Sequence, residues 1–216
     1  MAGRLPDERA PGPGRWRRPR KQGQAGIHWH RTLLNKGPGP LQPGHLVYRP
    51  RRGGAGMLYC LVLDCSASML RQDKLAMAKG LISAWAHQLY TQRSALAVVG
   101  FSGQGACILR PPSRAPLCSD AWVAPIPGGG GSPVGAGIQR AQDLMAQVKR
   151  RHPDQPIGLW LLTDGRTTQQ PLRPDIADFC EVVDFETEAI RLGGAQRIAR
   201  AWKAPCWPVS AFIEMD

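Results

Sequence analysis

No apolar run in this 216-residue chain approaches the ~18 residues that a membrane span requires. No apolar stretch follows Arg17-Arg18 either, which argues against a secretory or twin-arginine signal. Six cysteines are present (Cys60, Cys65, Cys107, Cys118, Cys180 and Cys206), but no Cys-x-x-Cys pair. Without a signal segment they read as reduced thiols of a cytoplasmic protein. Cys60 lies inside an apolar run and Cys180 opens another, so both read as small core residues. Nothing beside Cys65 in sequence supplies a base to activate it. The usual carriers of nucleotide and acyl chemistry are missing too. Gly128–Gly131 run into Ser132-Pro133 with no lysine to reach a phosphate, which excludes a phosphate loop and ATP hydrolysis by one. No Gly-x-Gly-x-x-Gly fingerprint sits between a strand and a helix, and there is no Gly-x-Ser-x-Gly elbow.

Acid is scarce at the front of the chain. Residues 1–56 hold twelve Lys and Arg against Asp7 and Glu8, while the remaining 160 residues are close to neutral. The length suits one well-buried domain with an extension. Residues 1–26, rich in Pro, Gly and Arg, have little to bury and read as a disordered basic arm. Arg15 to Lys21 carries enough charge to touch an acidic surface, but no nucleic-acid-binding motif accompanies it, so a solvated tail is expected. Residues 27–56 read as a lead-in packing on the domain, with His28 and His30 as structural histidines. Residues 57–216 read as the domain itself.

Within that domain, apolar runs at Met57–Leu63 and Ile157–Leu162 predict buried strands. Ser94–Phe101 predicts a strand, and Ala106–Leu109 a short one joined to it through Gly103 and Gly105, with loop from Pro111 to Asp120. Leu75, Ala78, Leu81, Ile82, Trp85 and Leu89 recur at helical spacing over Lys74–Tyr90. Val134, Ile138, Ala141, Leu144, Met145 and Val148 do the same over Pro133–Arg151. Gly165–Ala177 holds Pro171 and Pro174 and cannot carry a long helix, leaving a face that reads as open and available for docking. A strand at Asp178–Asp184, a helix at Ala195–Trp202 and a last strand at Pro208–Ile213 close the pattern. Alternating strands and helices predict an α/β fold: a doubly wound, mostly parallel sheet with helices on both faces.

Three short segments carry the chemistry. Asp64-Cys65-Ser66-Ala67-Ser68 and Thr163-Asp164-Gly165 each follow a predicted buried strand, and Gly131-Ser132-Pro133 opens a helix. Ligands of open α/β sheets bind beyond the carboxyl ends of the strands, where such loops converge. Asp64, Ser66, Ser68, Ser132 and Asp164 would bring two carboxylates and three hydroxyls there. An all-oxygen set suits a hard cation that keeps part of its water, Mg²⁺ before Mn²⁺ or Ca²⁺. Each segment alone is an ordinary turn or cap; the combination and its order carry the reading.

The same residues resemble the metal-ion-dependent adhesion site of von Willebrand factor A domains, with Ser132 where that family usually has Thr. The resemblance implies that the serines and Ser132 reach the ion directly or through water, that the aspartates act mostly through water, and that a partner's acidic side chain completes the shell. Leu75 to Gly80, Arg93 to Phe101, Pro127 to Pro133, Leu161 to Arg166, Val183 to Glu186, Ile190 to Gly193 and Ile198 to Trp202 are similar to the domain ending the D subunit of magnesium chelatase. That likeness implies a non-catalytic subunit of a tetrapyrrole metal chelatase, inserting magnesium or cobalt. It would couple an AAA+ ATPase subunit to the large chelatase subunit, as a stand-alone version without the ATPase-like half. Two other readings stand beside it: an adaptor for an AAA+ chaperone serving another metalloenzyme, and a Mg²⁺-dependent hydrolase built on Asp64 and Asp164. Against the hydrolase, no Lys or Arg other than Arg166 accompanies the site in sequence.

Overall fold

The computed structural model describes residues 32, 42–45, 56–103, 105–117 and 120–212. The basic arm expected over 1–26 and most of the lead-in over 27–56, His28 and His30 included, lie outside the described residues. Residues 17–55 group as a unit of their own, in which Pro43–His45 form one 3-10 turn.

From Gly56 onward the chain alternates as its apolar runs predict. The strands are β1 (Leu58–Asp64), β2 (Ala95–Ser102), β3 (Gly105–Arg114), β4 (Ile157–Thr163), β5 (Phe179–Asp184) and β6 (Cys206–Pro208). The helices are α1 (Lys74–Thr91), the single turn α2 (Asp120–Val123), α3 (Val134–Arg151) and α4 (Gly194–Trp202). The strands form one sheet in the order β3-β2-β1-β4-β5-β6. All neighbours are parallel except the β2–β3 hairpin. The fold is the α/β doubly wound arrangement expected from the sequence.

β1 and β4 are buried along their whole length, which is why they read as unbroken apolar runs rather than as alternation. Tyr59, Leu61 and Leu63 pack with α1 on one face, while Leu58, Cys60 and Val62 pack with α3 and α4 on the other. The anchors predicted on α1, from Leu75 to Leu89, are all buried. Trp85 meets Trp160 edge-on with centroids 4.8 Å apart, and Phe212 closes the cluster at 5.4 Å from Trp85. Each such side chain contributes roughly 1.5–3 kcal/mol by leaving water. The chain leaves β1 toward β2 on one side and returns to β4 on the other, so a crevice opens at the carboxyl ends of β1 and β4. Among the described residues no helix is long and apolar enough to cross a membrane.

Three expectations are corrected. β3 does not stop at Leu109: it continues through Pro111 and Pro112 to Arg114, where the pairing slips in a bulge opposite Ala97. An edge strand tolerates prolines, because their missing N–H groups are not needed by a further neighbour. The last strand is Cys206–Pro208, not Pro208–Ile213, and a 3-10 turn at Val209–Ala211 follows it. Pro208 has no N–H to extend the ladder, and the turn carries Phe212 onto the tryptophan pair. Gly165–Ala177 indeed lacks a helix, but the face beneath it is not open. Pro171, Pro174 and Ala177 are buried, and the Trp202 indole Nε1 donates to the Pro171 carbonyl at 2.8 Å.

Candidate metal centre

β1 ends at Asp64, and its last tie to β2 is the Cys65 N–H bonded to the Phe101 carbonyl at 2.9 Å, after which the chain turns. The Asp64 carboxylate is fully buried. Its Oδ1 accepts from the Ser66 N–H at 2.9 Å, and its Oδ2 accepts from the Thr163 hydroxyl at 2.7 Å and the Ser132 hydroxyl at 3.1 Å. Burial pushes the Asp64 carboxyl above its ordinary value; hydrogen bonds from Ser66 and Thr163 oppose the rise, and the Asp164 charge adds to it.

The glycine loop is sewn to this turn. The Ala67 N–H bonds the Gly130 carbonyl, the Gly129 N–H the Cys65 carbonyl, and the Gly103 N–H the Gly131 carbonyl, at 2.8–3.0 Å. Gly130 takes φ +75°, and a Cβ there would lie 2.7 Å from the Gly103 Cα, so only glycine lets the two backbones approach. Ser132 thereby reaches Asp64. At the end of β4, Asp164 is fully buried; its Oδ1 accepts from the Ser68 hydroxyl at 3.1 Å and from the Arg166 N–H at 3.2 Å. The Ser66 and Ser68 hydroxyls lie 3.1 Å apart.

All five residues expected at the site are therefore brought together. Asp64 and Ser132 are joined directly, as are Asp164, Ser68 and Ser66, and Asp64 also binds the Ser66 backbone. The donor set is two buried carboxylates and three hydroxyls, all hard oxygen. Among the described residues no group of three His, Cys, Asp or Glu side chains converges, so a soft or borderline metal finds no thiolate–imidazole cage. The chemistry of this set fits a Mg²⁺-like cation that retains water. Cys65, between these positions, is buried, and desolvation first, then the Asp64 charge, pushes its thiol up to about 12, which disfavours the thiolate.

Five further residues belong to the site: Thr163, Thr167, Lys74, Arg166 and Glu188. The Thr163 hydroxyl bonds Asp64 and also accepts from the Gly165 N–H at 3.0 Å. Thr167 donates its hydroxyl to the Ser132 carbonyl at 3.2 Å, tying the β4 loop to the glycine loop. A shallow cleft of about 320 Å³, walled in part by Ser132, Arg166 and Thr167, adjoins the centre. Lys74, the first residue of α1, is fully buried, with Nζ 3.3 Å from Asp164 Oδ2 and 2.6 Å from Glu188 Oε1. Arg166 meets the same Glu188 oxygen at 2.9 Å. This corrects the expectation that Arg166 is the one cation accompanying the site. A sequence signal for Lys74 existed, though a faint one: a cation in the first turn opposes the helix dipole and implies a compensating partner.

The β4 loop is held by backbone packing. Gly165 takes φ +68°, and a Cβ on Gly194, at the start of α4, would lie 1.8 Å from the Gly165 carbonyl oxygen. Gly194→Ala should therefore destabilise the domain by about 1–3 kcal/mol, against the ~1 kcal/mol that alanine gains over glycine in a helix. A urea midpoint no lower than that of the unsubstituted chain would mean that the two segments can separate.

Comparison with known proteins matches the chain to a family model. Residues 59–166 fit the model of the von Willebrand factor type A domain. An uncharacterized protein of Mycobacterium tuberculosis is 31% identical over 198 residues, covering 83% of this chain and 32% of that protein. The magnesium-chelatase 60 kDa subunit of Cereibacter sphaeroides is 28% identical over 126 residues, covering 58% of this chain and 22% of the subunit. The chain thus spans a third or less of the length of these relatives. Among solved structures, the conserved hypothetical protein BatB from Bacteroides thetaiotaomicron aligns with a TM-score of 0.51 at 17% identity, over 71% of this chain and 90% of that one. At that identity the likeness is one of fold.

Proposed function

This chain belongs to the von Willebrand factor type A domain family, and from that premise we propose that it is a metal-ion-dependent protein-interaction subunit of an ATP-dependent tetrapyrrole metal chelatase. The observation that carries the reading is the joining of Asp64, Ser66, Ser68, Ser132 and Asp164 into one oxygen-only cluster at the β1–β4 crevice. The relatedness to magnesium-chelatase subunits supports the chelatase branch.

Ser66, Ser68 and Ser132 would hold the ion, with Asp64 and Asp164 orienting its water. Mg²⁺ bound there would supply a Lewis-acid centre able to accept an acidic side chain of a partner. The protein's own charges favour that arrangement. Asp164 and Glu188 pair with Lys74 and Arg166, two charges against two, and the neighbouring carboxylate of Asp64 adds one formal negative charge. With a divalent ion held there the formal excess would be one positive charge, which a partner's carboxylate would neutralise. Ion and partner therefore bind more tightly together than apart. The partners would be a separate AAA+ ATPase subunit and the large chelating subunit, with rearrangement in the first passed to the second.

The test is affinity capture with the chain as bait from the cytoplasm of its host, in Mg²⁺ and in EDTA. An AAA+ ATPase subunit and a large chelatase subunit should be retained in Mg²⁺, and lost in EDTA or with Ser66→Ala. Metal-dependent retention of an AAA+ chaperone with an unrelated enzyme would replace this reading with that of a general adaptor. Retention indifferent to metal would remove the ion from the mechanism.

A further inference from the structure

Lys74 is the residue of this centre that an ion-binding role does not by itself explain. A fully buried ammonium beside a cluster fitted to a divalent cation repels that cation, and burying it is costly unless it is paired. Its placement is built in by the backbone. Gln72 and Asp73, just before α1, both take left-handed conformations, φ 52° and 55°, which non-glycine residues adopt at a cost. Thr187 donates its hydroxyl to Gln72 Oε1 at 2.6 Å, fastening the Glu188 loop to the same turn.

The two bonds of the ammonium are unequal. Glu188 Oε1 lies at 2.6 Å and Asp164 Oδ2 at 3.3 Å, and the buried Glu188 Oε2 has no hydrogen-bond partner. The long bond to Asp164 is the one that can yield, and Glu188 has an oxygen to spare for a withdrawing ammonium.

We propose that Lys74 is a resident cation of the ion site, sharing the charge of Asp164 so that the free protein holds Mg²⁺ weakly, and that Glu188 is the seat to which it withdraws when the ion binds. The inference rests on the ion-site reading above and adds to it a reason for ion affinity to depend on a partner. With Lys74 in place the fold does not need metal to neutralise Asp164, and the remaining affinity comes with the arriving carboxylate.

The experiment is calorimetric titration of the full 216-residue chain with MgCl₂ at fixed ionic strength, with thermal unfolding in EDTA and in Mg²⁺ alongside. Lys74→Met removes the resident charge and should tighten Mg²⁺ binding about tenfold or more, while lowering the unfolding temperature in EDTA and widening the gap that Mg²⁺ restores. Glu188→Gln keeps Lys74 but leaves it Asp164 as its one charged partner among the described residues, and should weaken Mg²⁺ binding by about threefold to tenfold. The double variant restores the formal charge and should return close to the unsubstituted affinity. A purely structural pair would instead weaken binding in both single variants. If the chain binds Mg²⁺ in a Ser66-dependent way and both variants are unchanged or both weaker, the role given to Lys74 is overturned and the ion site stands. If the unsubstituted chain takes up no Mg²⁺, the ion site itself is overturned, and this inference with it. Should Lys74→Met not fold, the Glu188→Gln affinity decides: weaker binding supports the proposal, and equal or tighter binding overturns it.

Discussion

Asp64→Ala is expected to reduce Mg²⁺ affinity roughly 10–100-fold, the range seen when groups orienting a metal's water are removed, while leaving the domain folded. The carboxylate sits at the head of the cluster: three donors, the Ser66 N–H and the hydroxyls of Ser132 and Thr163, converge on its two oxygens. Its loss removes a full charge from the site and the acceptor that orients Ser132. The fold tolerates this because the same carboxylate is a burden there: burial pushes it above the ordinary carboxylate range, so its ionised form opposes folding. Ser66 and Ser132 sit in loops at the crevice, and the space left by the carboxylate can admit a water to serve them and the buried Thr163 hydroxyl at the end of β4. Calorimetry should register the loss of Mg²⁺ binding, and unfolding in EDTA should remain cooperative with a midpoint near that of the unsubstituted chain. In Mg²⁺ the unsubstituted chain should gain stability as ligand binding to the folded state requires, and the variant should gain little. Collapse of the variant in EDTA under mild conditions would identify Asp64 as a framework residue.

The sequence discloses those parts of the site that local rules determine. Asp64 and Asp164 each end a run that burial on both faces makes apolar, and Ser66 and Ser68 follow at a spacing set by one turn. Gly128–Gly131 before a proline marks a backbone that must come close to something. Lys74 and Glu188 were not legible in this way. They lie 90 and 24 residues from Asp164, and 114 residues from each other, and no periodicity links them. What brings Lys74 inward is a pair of left-handed residues, Gln72 and Asp73, at positions where glycine or asparagine would have advertised the turn. The sheet tells the same story at its edges. Its centre, β2-β1-β4-β5, follows from burial. At the rims, a strand carrying Pro111-Pro112 and one ending at Pro208 are decided by which N–H groups have a neighbour to serve, a property of topology that composition does not carry.

Glu181→Gln should remove the Glu181 share of the pH dependence of stability between pH 5 and pH 8 and raise stability at pH 8 by an amount on the order of 3 kcal/mol. Glu181 lies on β5, is 6% exposed, and accepts from the Trp207 indole Nε1 at 2.7 Å. Desolvation pushes its carboxyl from 4.5 up to about 7, with the Trp207 bond opposing the rise. Folding therefore favours the protonated form. The stabilisation is complete below the unfolded value of 4.5, is lost as pH rises toward about 7, and is absent above it. Glutamine mimics the protonated acid, keeps an acceptor for Trp207, and carries no charge to bury. Asp64 and Asp184 are also raised by burial and slope the same way, so the comparison must be between the two profiles rather than within one. Guanidinium midpoints measured at pH 5, 6, 7 and 8 in EDTA should lie closest at pH 5, diverge through pH 7 and level off by pH 8, with the variant the more stable. Parallel profiles would mean that Glu181 is ionised in the folded protein throughout, and that the Trp207 bond, rather than burial, controls it.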